Sequence, residues 1–441
     1  SDHFAEEEKG RWIHFVMRFQ QLTGPLMAKG FEDTTLYVYN RLLSLNEVGG
    51  DPDRFGVSVD EFHDFNRRRF DQWPHSMSAT ATHDTKRGED ARARINALAE
   101  LPEEWERSLK TWSRINRAKK TKVRGAEAPD RNDEYFLYQT LIGSFPADRV
   151  PGEEFLKRLT AYLIKAVREA KVHTEWLKPD EAYEDAFVNF AREILTAPTG
   201  DRFLEAFAPF AENIAHCGML NSLGQTLFKM MAPGVPDVYQ GTELWDLSFV
   251  DPDNRRPVDF ALRTRWLGEL KAAESDDRAN LMRELLANWQ DGRIKLYLTH
   301  KLLHFRRDHR ELCAAGDYLA LKAAGEMGDR VCAFARRQDQ DWLLAVAPRL
   351  IGNMVFRGAA PLGEEMWRAT ALNLPADAPG RWFNVITGDR LEASLDASAN
   401  LLFLRDMFKN FPVALLYHEG TPDETSSARE NSDAKTIHHL A

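Results

Sequence analysis

From residue 9 to residue 22 the apolar side chains Trp12, Ile13, Phe15, Val16 and Phe19 recur at helical spacing, and Gly24-Pro25 ends the pattern. The next stretch, "LMAKGFEDTTLYVYNRLLSLNEVGGDP" at 26–52, predicts an apolar start, a break around Gly30 and Glu32-Asp33, and a helix from Thr35 that Gly49-Gly50 closes. Ser58 is placed to cap a helix over 59–72. Residues 76–82, "SMSATAT", read as a strand that ends abruptly in His83-Asp84, ahead of a helix over 89–98. Residues 102–222 carry helical periodicity almost throughout, with breaks at Pro129, Pro146, Pro151 and 198–200. A helix, a short strand near 237–240, and further helices near 278–289 and 294–310 follow.

Near residue 318 the period changes to two. "DRVCAFARR", "DWLLAVAPRL", "RWFNVITGDR", "NLLFLRD" and "PVALLYHE" are strand-like runs separated by turn residues such as Asp339-Gln340-Asp341 and Gly388-Asp389. A strand, then His-Asp, then a helix is the order expected at the C-terminal rim of a (β/α) barrel, where functional groups project from strand ends. The expected fold is therefore α/β plus β: part of a (β/α)8 TIM-type barrel with a large helical insertion, followed by an antiparallel, β-sandwich-like domain. The boundaries are 1–101 for the C-terminal part of the catalytic barrel, 102–222 for the insertion, 223–314 for barrel completion and flanking helices, and 315–419 for the β domain. Residues 420–441 have too little apolar content to pack and read as a disordered tail.

Composition narrows the function classes. With 58 basic and 68 acidic residues the formal charge is −10, which argues against nucleic acid as a general partner. The basic run "RAKKTKVR" at 117–124 reads as a solvated helix face. The three cysteines, Cys217, Cys313 and Cys332, are far apart and form no C-x-x-C, which suggests neither a disulfide framework nor a zinc ribbon. "SDHFAEEEKGRW" has neither the basic start nor the apolar core of a signal peptide, and no apolar run reaches about 18 residues. A cytoplasmic protein with no membrane span is the expectation.

The His-Asp pair carries the candidate chemistry. An ionised Asp at a barrel rim accepts hydrogen bonds from sugar hydroxyls and stabilises positive charge developing on an anomeric carbon. On spacing alone a second reading stands beside it: Asp84 N-caps the following helix and His83 packs nearby. "HKLLHFRRDH", with His300, His304 and His309, offers an i, i+4 histidine pair of the kind that binds zinc. It lacks the glutamate of H-E-x-x-H and has arginines beside it, so an amphipathic helix packed on the β domain is favoured.

Three blocks together go further. "THDTKRGEDARAR", "MAKGFEDTTLYVYNRLLSLNEVGGDP" and "GVPDVYQGTELWDLSFVDPDNRRPVDF" resemble the maltooligosyl trehalose synthase family, within the α-amylase superfamily of retaining glycosidases and transglycosidases. The resemblance covers residues 10–420. It implies that Asp84 is the last of the superfamily's three active-site carboxylates, stabilising the oxocarbenium-like state, and that His83 hydrogen-bonds the same sugar. It places Lys86 at that subsite, and Lys29, Glu32 and Asp33 around the reducing-end glucose. Asp253, Arg255 and Arg256 of "DPDNRRPVD" are substrate-side candidates, with a structural ion-pair network as an equal alternative. Tyr37, Tyr39 and Tyr239 are candidates to stack on sugar faces, against core packing for each.

The implied reaction is an intramolecular transglycosylation of maltooligosaccharides, from a reducing-end α-1,4 to an α,α-1,1 linkage, with no metal or organic cofactor. A related α-glucan hydrolase or transferase, and a non-catalytic glucan-binding half-barrel, are the alternatives. A retaining mechanism needs a nucleophile and a general acid/base about 5 Å apart. Neither motif is found before Lys29, so the N-terminal half of the barrel is expected elsewhere, as a separate partner chain, a cleaved piece or a region absent from this sequence, and the chain alone is expected to be inactive.

Overall fold

The computed structural model describes residues 6–420 apart from 148, 197, 356–357 and 397–398. The expected tail at 420–441 lies almost wholly outside the described residues. Helix α1 (Glu6–Pro25) matches its periodicity, but Ile13, Phe15, Val16 and Phe19 remain exposed along it. α2 (Val59–Gln72) begins at Ser58 with a complete capping box: Ser58 accepts from the Glu61 amide, and Glu61 accepts from the Ser58 amide.

Residues 26–52 reverse the expected order. Leu26–Thr35 is a π-helix continued by the single turn Leu36–Val38, and the chain then leaves helical geometry except for one short turn at Leu43–Leu45. The side chains give a local reason. Thr34 Oγ1 donates to the Lys29 carbonyl (2.8 Å) and Thr35 Oγ1 to the Gly30 carbonyl (3.1 Å), each five residues back, which favours the wider turn.

The strand expected over 76–82 is only β1 (Met77–Ser78), because its partner is equally short. That partner lies at Val235–Pro236, earlier than the expected 237–240, and pairs with β1 in parallel, Met77 opposite Val235 and Ser78 opposite Pro236. Two parallel strands with a helical crossover are what the described residues contain of the expected barrel sheet. The crossover holds α3 (Glu89–Ala97), α4 (Pro102–Asn116), α5 (Arg131–Ser144), α6 (Glu153–Ala170), α7 (Glu181–Leu195) and α8 (Asp201–Met231). Trp112 anchors their core, with Tyr138, Phe203 and Phe207 rings 5.0–6.0 Å away. α3 crosses α8 at Gly218, where a Cβ would lie 2.8 Å from the Arg94 Cα, so any larger residue would push the helices apart.

The basic run at 117–124 is not a helix face. After one short helical turn it forms the hairpin β2 (Thr121–Val123) and β3 (Ala126–Ala128). Arg124 and Gly125 both have positive φ (51° and 86°), the geometry of a two-residue hairpin turn. Lys120 is buried there against Glu134 at 2.7 Å.

Counting Val235–Pro236 as β4, the rest of the sheet structure is one nine-stranded antiparallel sheet in the order β10-β9-β13-β7-β6-β5-β8-β12-β11. Its strands are β5 (Asp317–Ala324), β6 (Val331–Gln338), β7 (Asp341–Pro348), β8 (Ala371–Leu374), β9 (Arg381–Asn384), β10 (Arg390–Glu392), β11 (Ser394–Asp396), β12 (Ala399–Phe403) and β13 (Ala414–His418). The sandwich-like expectation is met by a fold-over rather than by two separate sheets. β5 pairs with β6 through its first residues and with β8 through Lys322–Ala324. Leu344, Leu372, Leu402 and Leu416 from both halves then share one core. The opposite face of β6 and β7, with Phe334, Leu343 and Ala345, joins the helical core under α8. Covered on both faces, these strands read as near-continuous apolar runs.

α9 (Phe260–Ala287) contains a break at Asp277, whose carboxylate caps the second half through the Asn280 amide at 2.9 Å. The helix start expected near 278 is this internal cap. α10 (Arg293–Asp308) packs on the β region, with Phe305 against Tyr417 at 5.3 Å. His300 and His304 meet edge to face along it, ring centroids 4.1 Å apart. No described helix is long and apolar enough to cross a membrane.

Candidate active-site rim

His83 and Asp84 lie in an exposed turn just beyond β1, and α3 begins only at Glu89 with Gly88 at its N-cap position. Asp84 therefore does not cap that helix. Its backbone amide donates to Thr82 Oγ1 (3.2 Å), while its carboxylate makes no hydrogen bond or ion pair among the described residues. An exposed carboxylate without a direct polar partner is free to meet a ligand.

The "AKGFED" block comes to the same place. Asp33 bridges two lysines: Lys29 Nζ lies 2.5 Å from Oδ2 and Lys86 Nζ 2.7 Å from Oδ1. The hydrogen bond to Asp33 raises the Lys29 ammonium above its ordinary value, and the Asp84 charge adds to the effect, which places Lys29 in the field of the rim. Burial pushes the Asp33 carboxyl up, but the two lysine hydrogen bonds outweigh it and hold it below the usual range. Lys29 is exposed, whereas Lys86 is buried and its ammonium lies 5.5 Å from the centre of the Tyr37 ring. Lys86 thus reaches the rim through Asp33. Glu32 accepts from the Gly49 amide at 3.0 Å.

Tyr239 and the "DPDNRRPVD" run divide. The Tyr239 hydroxyl donates to the Asn254 carbonyl (3.2 Å), and Asn254 Nδ2 donates to the Thr82 and His83 carbonyls (3.2 and 3.1 Å), tying this run to the rim. Asp253 faces elsewhere: Arg158 grips both its oxygens at 2.7 Å, and the Phe249 amide donates to it at 2.8 Å. Arg255 pairs with Asp251 (2.5 Å) and Arg256 with Asp253 and Glu154 (3.1 and 3.4 Å). The ion-pair alternative describes these three. A cavity of about 370 Å³ borders them, lined in part by Glu154, Arg158, Tyr162 and Lys165. Tyr37 is buried and Tyr39 is bonded to Asp53 at 3.1 Å, whereas half-buried Tyr239 is linked to the turn through Asn254.

Two rim residues were not anticipated. Glu47 Oε1 accepts from the Lys86 amide (2.7 Å), and its other oxygen pairs with Arg92 (3.5 Å), joining the segment after the π-helix to the His-Asp turn. Asn254 does the same from the opposite side. Both stand inside the blocks that carry the resemblance, but nothing about an isolated Glu or Asn announces a distant backbone partner.

Away from the rim, Asp130, Asp133 and His173 bring ligand-type atoms within 4.8 Å of one another. All three are engaged: Asp130 caps α5 through the Asp133 amide (2.8 Å), His173 Nε2 meets Asp130 Oδ2 (2.8 Å), and the Tyr183 hydroxyl donates to Asp133 (2.5 Å). Burial pushes the Asp133 carboxyl up to about 6. The three cysteines are buried thiols, pushed up by that burial to about 11 or 12.

No family model matches the chain. It is 36% identical over 404 residues to a putative maltooligosyl trehalose synthase of Mycobacterium tuberculosis, a match that covers 92% of this chain and 46% of the relative. A maltooligosyltrehalose synthase structure from Arthrobacter ramosus superposes with a TM-score of 0.73 at 34% identity, covering 91% of this chain and 46% of that one. A second maltooligosyl trehalose synthase crystal structure gives 0.72 at 32% identity, covering 95% and 50%. The chain spans about half the length of the curated relatives it matches.

Proposed function

Because the chain belongs to the maltooligosyl trehalose synthase family, we propose that its rim binds the reducing end of a maltooligosaccharide during an intramolecular transglycosylation. The observation that carries this reading is the exposed Asp84 carboxylate, with no direct hydrogen bond or ion pair among the described residues, beside the Lys29–Asp33–Lys86 chain. Asp84 stabilises the oxocarbenium-like state as the α-1,4 bond breaks, and His83 hydrogen-bonds the same sugar. Lys29 and Glu32 retain the released glucose while it turns. As the α-1,4 bond breaks, the glycosyl carbon bonds to the nucleophile and the general acid protonates O4 of the glucose. The anomeric hydroxyl then gives its proton to that same acid/base group and displaces the nucleophile, so an α,α-1,1 linkage forms. Water at that stage would give hydrolysis, so the glucose must be gripped by fixed donors and acceptors.

The nucleophile and the general acid/base are assigned to the part of the relatives that this chain does not span, which can be supplied in vitro as a complementary polypeptide. The surface supports the assignment. Met77 and Val235 on the parallel strand pair are exposed, as are Ile13, Phe15, Val16 and Phe19 on α1, an apolar face of the kind that marks an interface. One observation favours a second reading, in which the chain by itself binds glucan without cleaving it. The carboxylates that begin α3, Glu89 and Asp90, are buried and bonded to Lys295 at 2.6 and 2.7 Å, and so are unavailable as a nucleophile.

Incubation with maltopentaose, with and without the complementary polypeptide, separates these readings by loss of reducing ends. The combination should make trehalose-linked product and the chain alone should not. Asp84→Asn in the combination should slow turnover by about 10² to 10³-fold, the effect of losing one charge-assisted transition-state contact. Hydrolysis products alone would point to a glucan hydrolase, and product from the isolated chain would misplace the nucleophile.

A further inference from the structure

Beyond Ser78 the rim segment has left its strand ladder, whose last bond is from the Asp237 amide to the Ser78 carbonyl at 2.9 Å. Something else must place the turn that follows. The residue between ladder and turn is Thr80, and three charged side chains converge on it. The Thr80 hydroxyl donates to Glu89 Oε2, Lys229 Nζ donates to the same hydroxyl at 2.8 Å, and Arg92 Nη2 donates to the Thr80 carbonyl. Glu89 is held in turn by Lys295, which lies 2.6 Å from its other oxygen and 2.7 Å from Asp90. Asp90 also accepts from the Asp246 amide at 2.6 Å. Glu89, Asp90 and Lys295 are all 2% exposed or less, and Lys229 is 9% exposed.

Two carboxylates and two ammoniums buried together are a costly way to stabilise a fold, since well-packed apolar side chains often serve as well. What such a cluster supplies is geometry, because a buried charge that leaves its partner loses heavily. Here the geometry ends on one threonine, four residues before Asp84. Arg92 extends it, pairing with Glu47, which accepts from the Lys86 amide on the far side of the turn.

We infer that the buried Lys295–Glu89–Lys229 cluster, acting through Thr80, positions the His83–Asp84 turn in place of the missing strand ladder. Glu89, Lys229, Lys295 and Arg92 are positioning residues, drawn from α3, α8 and α10, and act through Thr80. The inference deepens the proposed function and rests on it for its link to catalysis, while the placement of the turn is testable without it.

Hydrogen exchange on the full chain tests the placement. Three turn amides are protected by side-chain acceptors: Thr82 by Thr85 Oγ1, Asp84 by Thr82 Oγ1 and Lys86 by Glu47 (3.4, 3.2 and 2.7 Å). Thr80→Val removes the hydroxyl at nearly constant volume and should speed exchange in 79–87 by about 10-fold or more, leaving β5–β7 unchanged. Thr80→Ser should restore the wild-type rate. Unchanged exchange at 79–87, or an equal rise in every peptide, overturns the inference. If Thr80→Val lowers the melting temperature, Lys229→Gln is read in the same way at matched stability. In the combination with the complementary polypeptide, Thr80→Val should lower kcat on maltopentaose about 10-fold with KM within about twofold, and Thr80→Ser should rescue it. A wild-type combination that makes no trehalose-linked product refutes the functional reading, and the exchange result still decides the positioning.

Discussion

In the sheet, β6 and β7 pair over eight residues each and bury both faces, one beneath α8 and one inside the folded-over sheet. At the rim, β1 and β4 pair over two residues, and the next dozen positions are held by Glu47, Asn254, Thr80 and the charges around them. Backbone ladders and apolar contact are local in sequence or indifferent to side-chain detail, so the sheet region carries its own shape. The rim borrows its shape from helices far away in the chain. That leaves its functional groups free of the ladder and makes their placement depend on a few polar bonds.

Removing one side chain at the centre of the sheet region should show the largest effect. Phe334 is fully buried, with Phe228 of α8 and Tyr318 of β5 at 5.5 and 5.1 Å, and Phe334→Ala should cost about 3 to 5 kcal/mol in urea unfolding.

Acid should then weaken the helical side of that region before it weakens the rim. Burial pushes His216 on α8 down from the usual 6.5 to about 4, so the unfolded chain takes up its proton first as pH falls. The stability this histidine contributes is complete above 6.5 and is lost between 6.5 and 4, a loss on the order of 2 to 3 kcal/mol. His216→Gln should flatten the melting temperature over that window. The Asp33 link at the rim has a depressed carboxyl, so its contribution is complete above the ordinary value of 3.8 and disappears only as pH falls further.

Cutting the rim's own link should have a smaller global cost and a local signature. Lys86→Met leaves half-buried Asp33 with the exposed Lys29 as its one lysine partner and should cost about 1 to 3 kcal/mol, with faster hydrogen exchange confined to 26–50 and 79–90. The smallest effect is expected on α1. Ile13→Ser with Phe15→Ser should change the stability of the isolated chain by about 0.5 kcal/mol or less, because both side chains are already exposed. The same pair should weaken capture of the complementary polypeptide in a pull-down, and undiminished capture would remove α1 from that interface.

The sequence by itself determined the elements whose signals are local. Ser58 and Glu61 form a capping box three residues apart, the apolar period names α1 and α4 to α8, and strand-like apolar runs between turn residues locate β6, β7, β9, β12 and β13. It also carried the three blocks that supply Lys29, Asp33, Lys86 and Asn254 to the rim, because their family resemblance survives without any knowledge of contacts. Only the tertiary structure decided the rest. β1 stops after Ser78 because β4 offers no longer partner. Lys86 turns inward to Asp33, 53 residues away, and Asp253 is claimed by Arg158, 95 residues away. A side chain's periodicity reports whether it faces in or out. Which distant group it then meets is fixed by packing, and at this rim packing sets both the exposed carboxylate and the bonds that aim it.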